Sequence, residues 1–347
     1  MMNAYQTIVI GAGQAGLAVG RALQIKNSPF LILDENEEAG WSWKKRYDSL
    51  KLFTPKNYSH LFNDLYQGDE KEFPSRDEVA DYLSKFQDKY NLPIKVNEKV
   101  INLSKNDDQM FTLCTENRKY TAKNVIVATG AFYTPFIPAI HDSSIPFMIH
   151  SADYKNPDQI PEGDVLIVGG GNTGIQIAAE LSKSLKHHAY LSRSKKLKRL
   201  PKTILGNSLF WWLDQFKILN ASPNSFIGKR LKDNDPLIGN DISVIKRKGT
   251  LLPRLTRVSN KNAYFQNTFR KQFKALIWAT GYRNDYSWIN IKEAIDEQGQ
   301  PVHQLGISTV KGLYYVGLSW QSKRGSALLY GVTEDAEKIT EVLIKNN

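Results

Sequence analysis

Two segments of the chain repeat one pattern. TIVIGAGQAGLAVGRAL runs from Thr7 to Leu23, and DVLIVGGGNTGIQIAAEL from Asp164 to Leu181. Each is a β-branched run, then G-x-G-x-x-G, then a helix-favouring stretch of small residues. The copies lie 158 positions apart, Gly11 to Gly169. A lone G-x-G-x-x-G is weak evidence, but a strand before it and a helix after it mark a dinucleotide-binding loop. Gly11 and Gly169 allow the tight turn, Gly13 and Gly171 let the backbone approach a pyrophosphate, and Gly16 and Gly174 let helix and strand pack closely. The helix start then offers free N–H groups and a positive dipole end to the phosphates. The pair predicts an α/β chain with two dinucleotide-binding, Rossmann-like domains.

The residue that closes the following strand tells the two sites apart. In FLILDENEE, Asp34 lies 23 positions after Gly11, where a carboxylate binds ribose hydroxyls. In HAYLSRSKK the matching place is Arg193, with Ser194 beside it. An arginine there pairs with the 2′-phosphate that a carboxylate would repel. The first site therefore suits a free 2′-hydroxyl, as in FAD or NAD, and the second suits NADPH. Charge follows the same division. Residues 160–280 hold 21 Lys and Arg against 7 Asp and Glu, a balance of +14 within a chain whose net charge is +11. Such a field attracts polyanions, and a phosphorylated dinucleotide is preferred here over nucleic acid.

NVIVATGAF at 124–132 and ALIWATGYR at 275–283 are a second echo, each a buried-type strand ending in Ala-Thr-Gly. Between the two units, residues 134–161 carry five prolines, a density that stops helices and breaks sheet pairing. The C-terminal stretch ends in an amphipathic run with Ala336, Ile339, Val342 and Leu343 on one face. It is too short for a domain of its own and is expected to return to the first unit. The expected organisation is a discontinuous first domain, residues 1–159 and 282–347, with a second domain, 160–281, inserted into it.

The single cysteine, Cys114, excludes an internal disulfide and a CxxC redox pair and reads as a small core residue. No apolar run approaches the ~18 residues of a membrane span, and the chain enters a strand at once, so a cytoplasmic location is expected. The six histidines form no metal pattern. His150 reads as a structural residue at the domain crossing. SLFWWLDQFKIL, 208–219, is expected to cover the interdomain cleft or pack within the insert, ahead of lying on a membrane surface.

The ordered set GAGQAG, EAGWSWKKRYDSLKLFTPK, FPSRDEVADYL, ATGAF, HSADY, GGGNTG, LSRS, DPLIG, ATGYRNDYSWI and GLSWQSKRGSALLYGVTEDA resembles the flavin-containing monooxygenase superfamily. The match is closer still to its compact bacterial branch, akin to plant YUCCA-type monooxygenases. The resemblance implies FAD in the first domain, held by Gly11, Gly13, Gln14, Gly16 and Asp34, with Trp43, Leu52 and Phe53 lining the flavin. It implies NADPH on Gly171, Asn172, Thr173, Gly174 and Gln176, with Arg193 and Ser194 at the 2′-phosphate. It further implies a C4a-peroxyflavin that uses molecular oxygen to oxygenate a small molecule of the sulfide, amine or ketone class. Phe53 is the nearest match to an asparagine that larger relatives place beside the flavin. The alternative is an NADPH–flavin reductase passing electrons to an acceptor protein. A homodimer is compatible with either. No side chain is assigned as catalytic acid or base, because the cofactor carries the hard step.

Overall fold

In a computed structural model, residues 4–130, 134–195, 199–233, 237–239 and 241–346 are described. β1 (Ala4–Ile10), α1 (Gln14–Ile25) and β2 (Phe30–Leu33) form the first β-α-β unit. Thr7 to Ile10 is buried without interruption, as expected of a parallel strand covered on both faces. Alternate residues serve opposite layers. Val9, Ile32 and Ile126 join the core that holds Leu17, Val19 and Leu23 of α1, while Ile8, Ile10 and Val127 join a second core with Leu103 and Leu113. The parallel order is β23 (Leu313–Tyr315), β6 (Lys119–Val127), β1, β2, β3 (Ile94–Lys95). β4 (Val100–Lys105) and β5 (Phe111–Thr115) form an antiparallel meander leading into β6. A hairpin of β21 (His303–Gln304) and β22 (Ile307–Ser308) extends the β23 edge. α2 (Trp41–Lys44) is a single turn. α3 (Arg76–Tyr90) starts at a capping box in which Ser75 and Glu78 satisfy each other's backbone N–H, and it ends at Asn91 in the left-handed region, φ 48°, a normal stop for asparagine.

The second sheet repeats the first. Its parallel order is β8 (Phe147–His150), β19 (Ala275–Trp278), β9 (Gly163–Val168), β10 (His187–Ser192), β15 (Thr250–Leu252). α4 (Asn172–Leu181) connects β9 to β10, and α7 (Asp241–Lys248) precedes β15. The meander of β16 (Leu255–Ser259), β17 (Asn262–Phe265) and β18 (Arg270–Gln272) precedes β19 as β4 and β5 precede β6. The edge strands are exchanged. After β6 the chain passes into the second sheet as β8, and after β19 it passes back into the first as β23. The two crossings, β7 (Thr134–Pro135) and β20 (Tyr282–Arg283), pair antiparallel.

The proline-rich stretch differs from its sequence reading. It contains β8, because the four residues after Pro146 are free of proline and pair on one side only, with β19. An edge strand tolerates a proline at its start. The second sheet thus begins at residue 147, ahead of residue 160. Cys114 is only half-buried. Outside the sheet, β11 (Arg199–Leu200) pairs with β14 (Leu237–Ile238), and β12 (Thr203–Ile204) with β13 (Asn207–Ser208). α5 (Leu209–Gln215) and α6 (Phe226–Asp233) follow. α8 (Leu329–Lys345) lays Val332, Ala336, Ile339 and Leu343 into the α1 core, with Val342 partly buried beside them.

Candidate functional site

Each glycine loop sits at the C-terminal end of its sheet, where ligands of open α/β sheets bind. Gly11 has φ +105° and Gly169 φ +138°, open to glycine alone. A Cβ on Gly16 would lie 1.7 Å from the Gly11 carbonyl oxygen, and one on Gly174 2.1 Å from that of Gly169. These four positions fix the turn and the helix approach. Gly13 and Gly171 are different: a Cβ on either meets nothing within 4 Å. Neither α1 nor α4 has a side-chain N-cap, so their first N–H groups are left to a ligand. An open cradle over an uncapped helix start is the donor set a pyrophosphate needs, and the residues present fit it twice.

Asp34 is buried, and one carboxylate oxygen accepts from the Ala12 N–H. The other accepts from the Asn36 backbone and side-chain nitrogens, both at 2.8 Å. A carboxylate has about four acceptor sites, so one remains for a ribose hydroxyl. Gln14 Nε2 donates to the Ala327 carbonyl at 2.7 Å, tying the first loop to the C-terminal segment. Trp43 packs partly buried on the α1 core, and Leu52 is buried in it. Phe53 packs on a separate cluster. Its ring stacks on Phe210 of α5, centroids 5.9 Å apart.

In the second site Asn172, Ile175, Gln176, Ile238 and Asp241 line a small cleft at the start of α4. Arg193 follows β10. Its Nη1 donates to the Lys195 carbonyl at 2.8 Å, and its buried Nε has no partner among the described residues. Ser194 is exposed. Lys196 and Lys198, a little further along the chain, lie outside the described residues. Gln176 Oε1 accepts from Tyr47, a residue 129 positions earlier that sequence spacing did not single out. One turn on, Glu180 accepts from Tyr154 at 2.8 Å. Both phenols are buried in the core of the second sheet, and burial raises their pKa, so both stay donors. Asp48 is strapped to the residues after Tyr154 by two further bonds, Asp48 N to Lys155 O at 2.8 Å and Asn156 Nδ2 to Asp48 Oδ2 at 2.7 Å. The segment that carries Trp43 is thereby pinned to α4. Tyr47→Phe should remove one such bond and lower stability by about 1–2 kcal/mol. Thermal unfolding reads this, and an unchanged midpoint would mean that the pin contributes nothing.

His150 is 2% exposed and edge-on to Tyr282. Its Nδ1 accepts from the Ala152 N–H, leaving Nε2 to donate to the Gly281 carbonyl at 3.1 Å. That pattern is the neutral ring, and burial lowers its pKa; it is a brace at the crossing, with no base role visible. Burial lowers His60 and His303 likewise. The unfolded chain then binds more protons on acidification, so stability is full above about pH 6.5 and falls as pH drops through the depressed folded values. Denaturant titrations across that range should show the loss, reduced in His150→Gln.

α5 packs on the segment that carries Phe53 and Tyr58. Phe210 is buried against Phe53 and Tyr58, and Tyr58 donates to Asp214 at 3.0 Å. Burial, then the Asp214 carboxylate, push the Tyr58 phenol up to about 12. Tyr330, at the start of α8, meets Tyr58 edge-on at 6.1 Å.

A family model of pyridine nucleotide-disulphide oxidoreductases matches residues 8–207. The chain is 44% identical over 342 residues to an uncharacterized oxidoreductase, CzcO, of Bacillus subtilis (strain 168), with 97% of this chain and 98% of that one covered. It is 28% identical to the probable indole-3-pyruvate monooxygenase YUCCA1 of Arabidopsis thaliana, covering 96% of this chain and 88% of that one. A flavin-containing monooxygenase from Stenotrophomonas maltophilia superposes with a TM-score of 0.82 at 24% identity, with 99% of each chain covered.

Proposed function

The chain belongs to the pyridine nucleotide-disulphide oxidoreductase family, and from that premise we propose a flavin-containing, NADPH-dependent monooxygenase acting on a small sulfide, amine or ketone. FAD and NADPH are its cofactors. The observation that carries the reading is the doubled cradle: two uncapped helix starts, each behind a glycine with open space where a side chain would be. We read residues 1–159 and 282–347 as the FAD domain and 160–281 as the NADPH domain, the latter borrowing β8. In this reading the α1 N–H groups hold the FAD pyrophosphate, and Asp34 takes a ribose hydroxyl with its remaining acceptor site. The α4 start holds the NADPH pyrophosphate, and Arg193 takes the 2′-phosphate. The Tyr47–Gln176 and Tyr154–Glu180 bonds hold α4 against the flavin-lining segment. Phe53, Phe210, Tyr58 and Tyr330 exclude water from the cleft, a condition for oxygen chemistry on reduced flavin. Bound there, FAD would supply hydride acceptance from NADPH and oxygen activation; the protein contributes binding, orientation and dryness.

A second reading, an NADPH–flavin reductase serving an acceptor protein in the cytoplasm, rests on Phe53. Its place offers the cofactor no hydrogen-bond donor, and its ring is occupied with Phe210. Rapid mixing of NADPH-reduced protein with oxygen separates the two. Oxygenation predicts a transient absorbance unlike that of oxidised or reduced flavin, and label from isotopic dioxygen in a product. Single-step reoxidation, with turnover stimulated by an added acceptor, would establish the reductase instead.

A further inference from the structure

Three of the four most exposed large apolar side chains among the described residues fall between positions 205 and 226. Leu205 is 87% exposed, Phe216 68% and Phe226 80%. Leu205 tips the β12–β13 hairpin. Trp212 Nε1 donates to the neighbouring Ile204 carbonyl at 2.9 Å, and its ring stacks on Phe216 with an interplanar angle of 17°. Leu205, Trp212 and Phe216 thus share one surface. The other side of α5 packs Leu209, Phe210 and Leu213 into an apolar cluster with Phe53 and Tyr58. A helix apolar on both sides is expected to be buried on both, and here one side faces solvent.

The charge around this surface is strongly positive. From Arg193 to Asp233, the end of α6, the sequence carries ten Lys and Arg against two acidic residues, Asp214 and Asp233, and Asp214 is engaged by Tyr58. Lys217 adjoins Phe216 and is exposed. On α6, Phe226, Lys229 and Arg230 are exposed and stand at i, i+3 and i+4, so they share a face. Exposed aromatics flanked by lysine and arginine are the composition of an interfacial lipid contact. A second copy of the chain would bring the same positive field to a self-complementary contact and be repelled. No helix among the described residues is long and apolar enough to cross a membrane, so the contact is peripheral.

We propose that the outer face of the β12–β13 hairpin, α5 and α6 docks on an anionic lipid surface. Leu205, Trp212 and Phe216 enter the boundary between headgroups and acyl chains, and Lys217, Lys229 and Arg230 meet the lipid charge. The inference is independent of the flavin reading, because the assay reads binding without turnover. The purified full chain is floated with vesicles of phosphatidylcholine alone and of phosphatidylcholine mixed with phosphatidylglycerol, at low and high salt. Binding is expected to the mixed vesicles, with a blue shift of tryptophan emission, and to weaken with salt. Lys217→Glu with Lys229→Glu should lower partitioning by at least about twenty-fivefold, at roughly fivefold per cation lost near the surface. Leu205→Ser with Phe216→Ser should lower it by about tenfold or more, from the apolar burial lost. These positions are exposed, so the variants should keep the parent's circular dichroism and thermal midpoint. Equal binding to neutral vesicles, or mixed-vesicle binding unaffected by either pair of changes, would overturn the proposal. So would tighter binding to a single-stranded oligonucleotide than to the vesicles. A concentration-dependent dimer that Leu205→Ser with Phe216→Ser dissolves, with no flotation, would reassign the face to self-association.

Discussion

Gly13→Val is expected to purify folded and colourless. Gly13 has φ −76°, which a valine adopts without strain, and its Cβ would meet no protein atom within 4 Å. The fold tolerates the change; the space it fills is the one assigned to the FAD pyrophosphate. A hydrogen bond from N–H to a charged group contributes about 1.5–3 kcal/mol, so displacing the phosphate from two of them should weaken flavin binding by at least about a hundredfold. Gly16→Val makes the contrast, because its Cβ would lie 1.7 Å from the Gly11 carbonyl and should break the β1–α1 packing itself. Bound flavin and circular dichroism distinguish the two: one variant loses flavin and keeps its fold, the other loses both. A yellow Gly13→Val protein with full flavin content would falsify the placement of FAD.

Arg193→Ala should raise the half-saturating NADPH concentration roughly ten- to a hundredfold, the value of one charged hydrogen bond, and leave NADH nearly unchanged. Among the described residues the guanidinium is tethered through one nitrogen, to the Lys195 carbonyl, and its planar fork of five donors suits a phosphate. Arg193→Asp should go further and invert the preference, since a carboxylate repels the 2′-phosphate and accepts from the free hydroxyl. Equal weakening toward both nucleotides would show that Arg193 acts on the fold of the loop and not on the phosphate. The two nucleotides are compared in flavin reduction followed by absorbance and in equilibrium binding, so the outcome does not rest on turnover.

Four of the loop glycines are legible for steric reasons: Gly11 and Gly169 have positive φ, and a carbonyl 1.7 Å or 2.1 Å from the Cβ position of Gly16 or Gly174 excludes every side chain there. The positions of Asp34 and Arg193 are legible because each directly follows a strand at a near-equal distance from its loop. Residues whose partners are remote are not. Tyr47 meets Gln176 across 129 positions, and Gln14 meets Ala327 across 313; neither pair has a local period to betray it. Gln176, expected on the nucleotide, is already engaged by Tyr47. Phe53, expected beside the flavin, was located only as a family match, and the stacking that turns it toward Phe210 depends on a helix more than 150 positions away. β8 was hidden by its surroundings, four strand-forming residues among prolines whose density argues for a linker.

The exchange of edge strands sets a timetable for folding during synthesis. The second sheet is complete once Trp278 has emerged, since all five of its strands lie between Phe147 and that residue. The first sheet, begun at Ala4, lacks β23 until Leu313 appears, 186 positions after Val127, and α1 lacks the cover of α8 for longer still. At about 5–20 residues per second that gap is roughly 10–40 s. Throughout it, the open edge of β6 and the bare apolar side of α1 face the cell, a surface on which chaperones act and aggregation starts. The half of the protein made first is the half finished last.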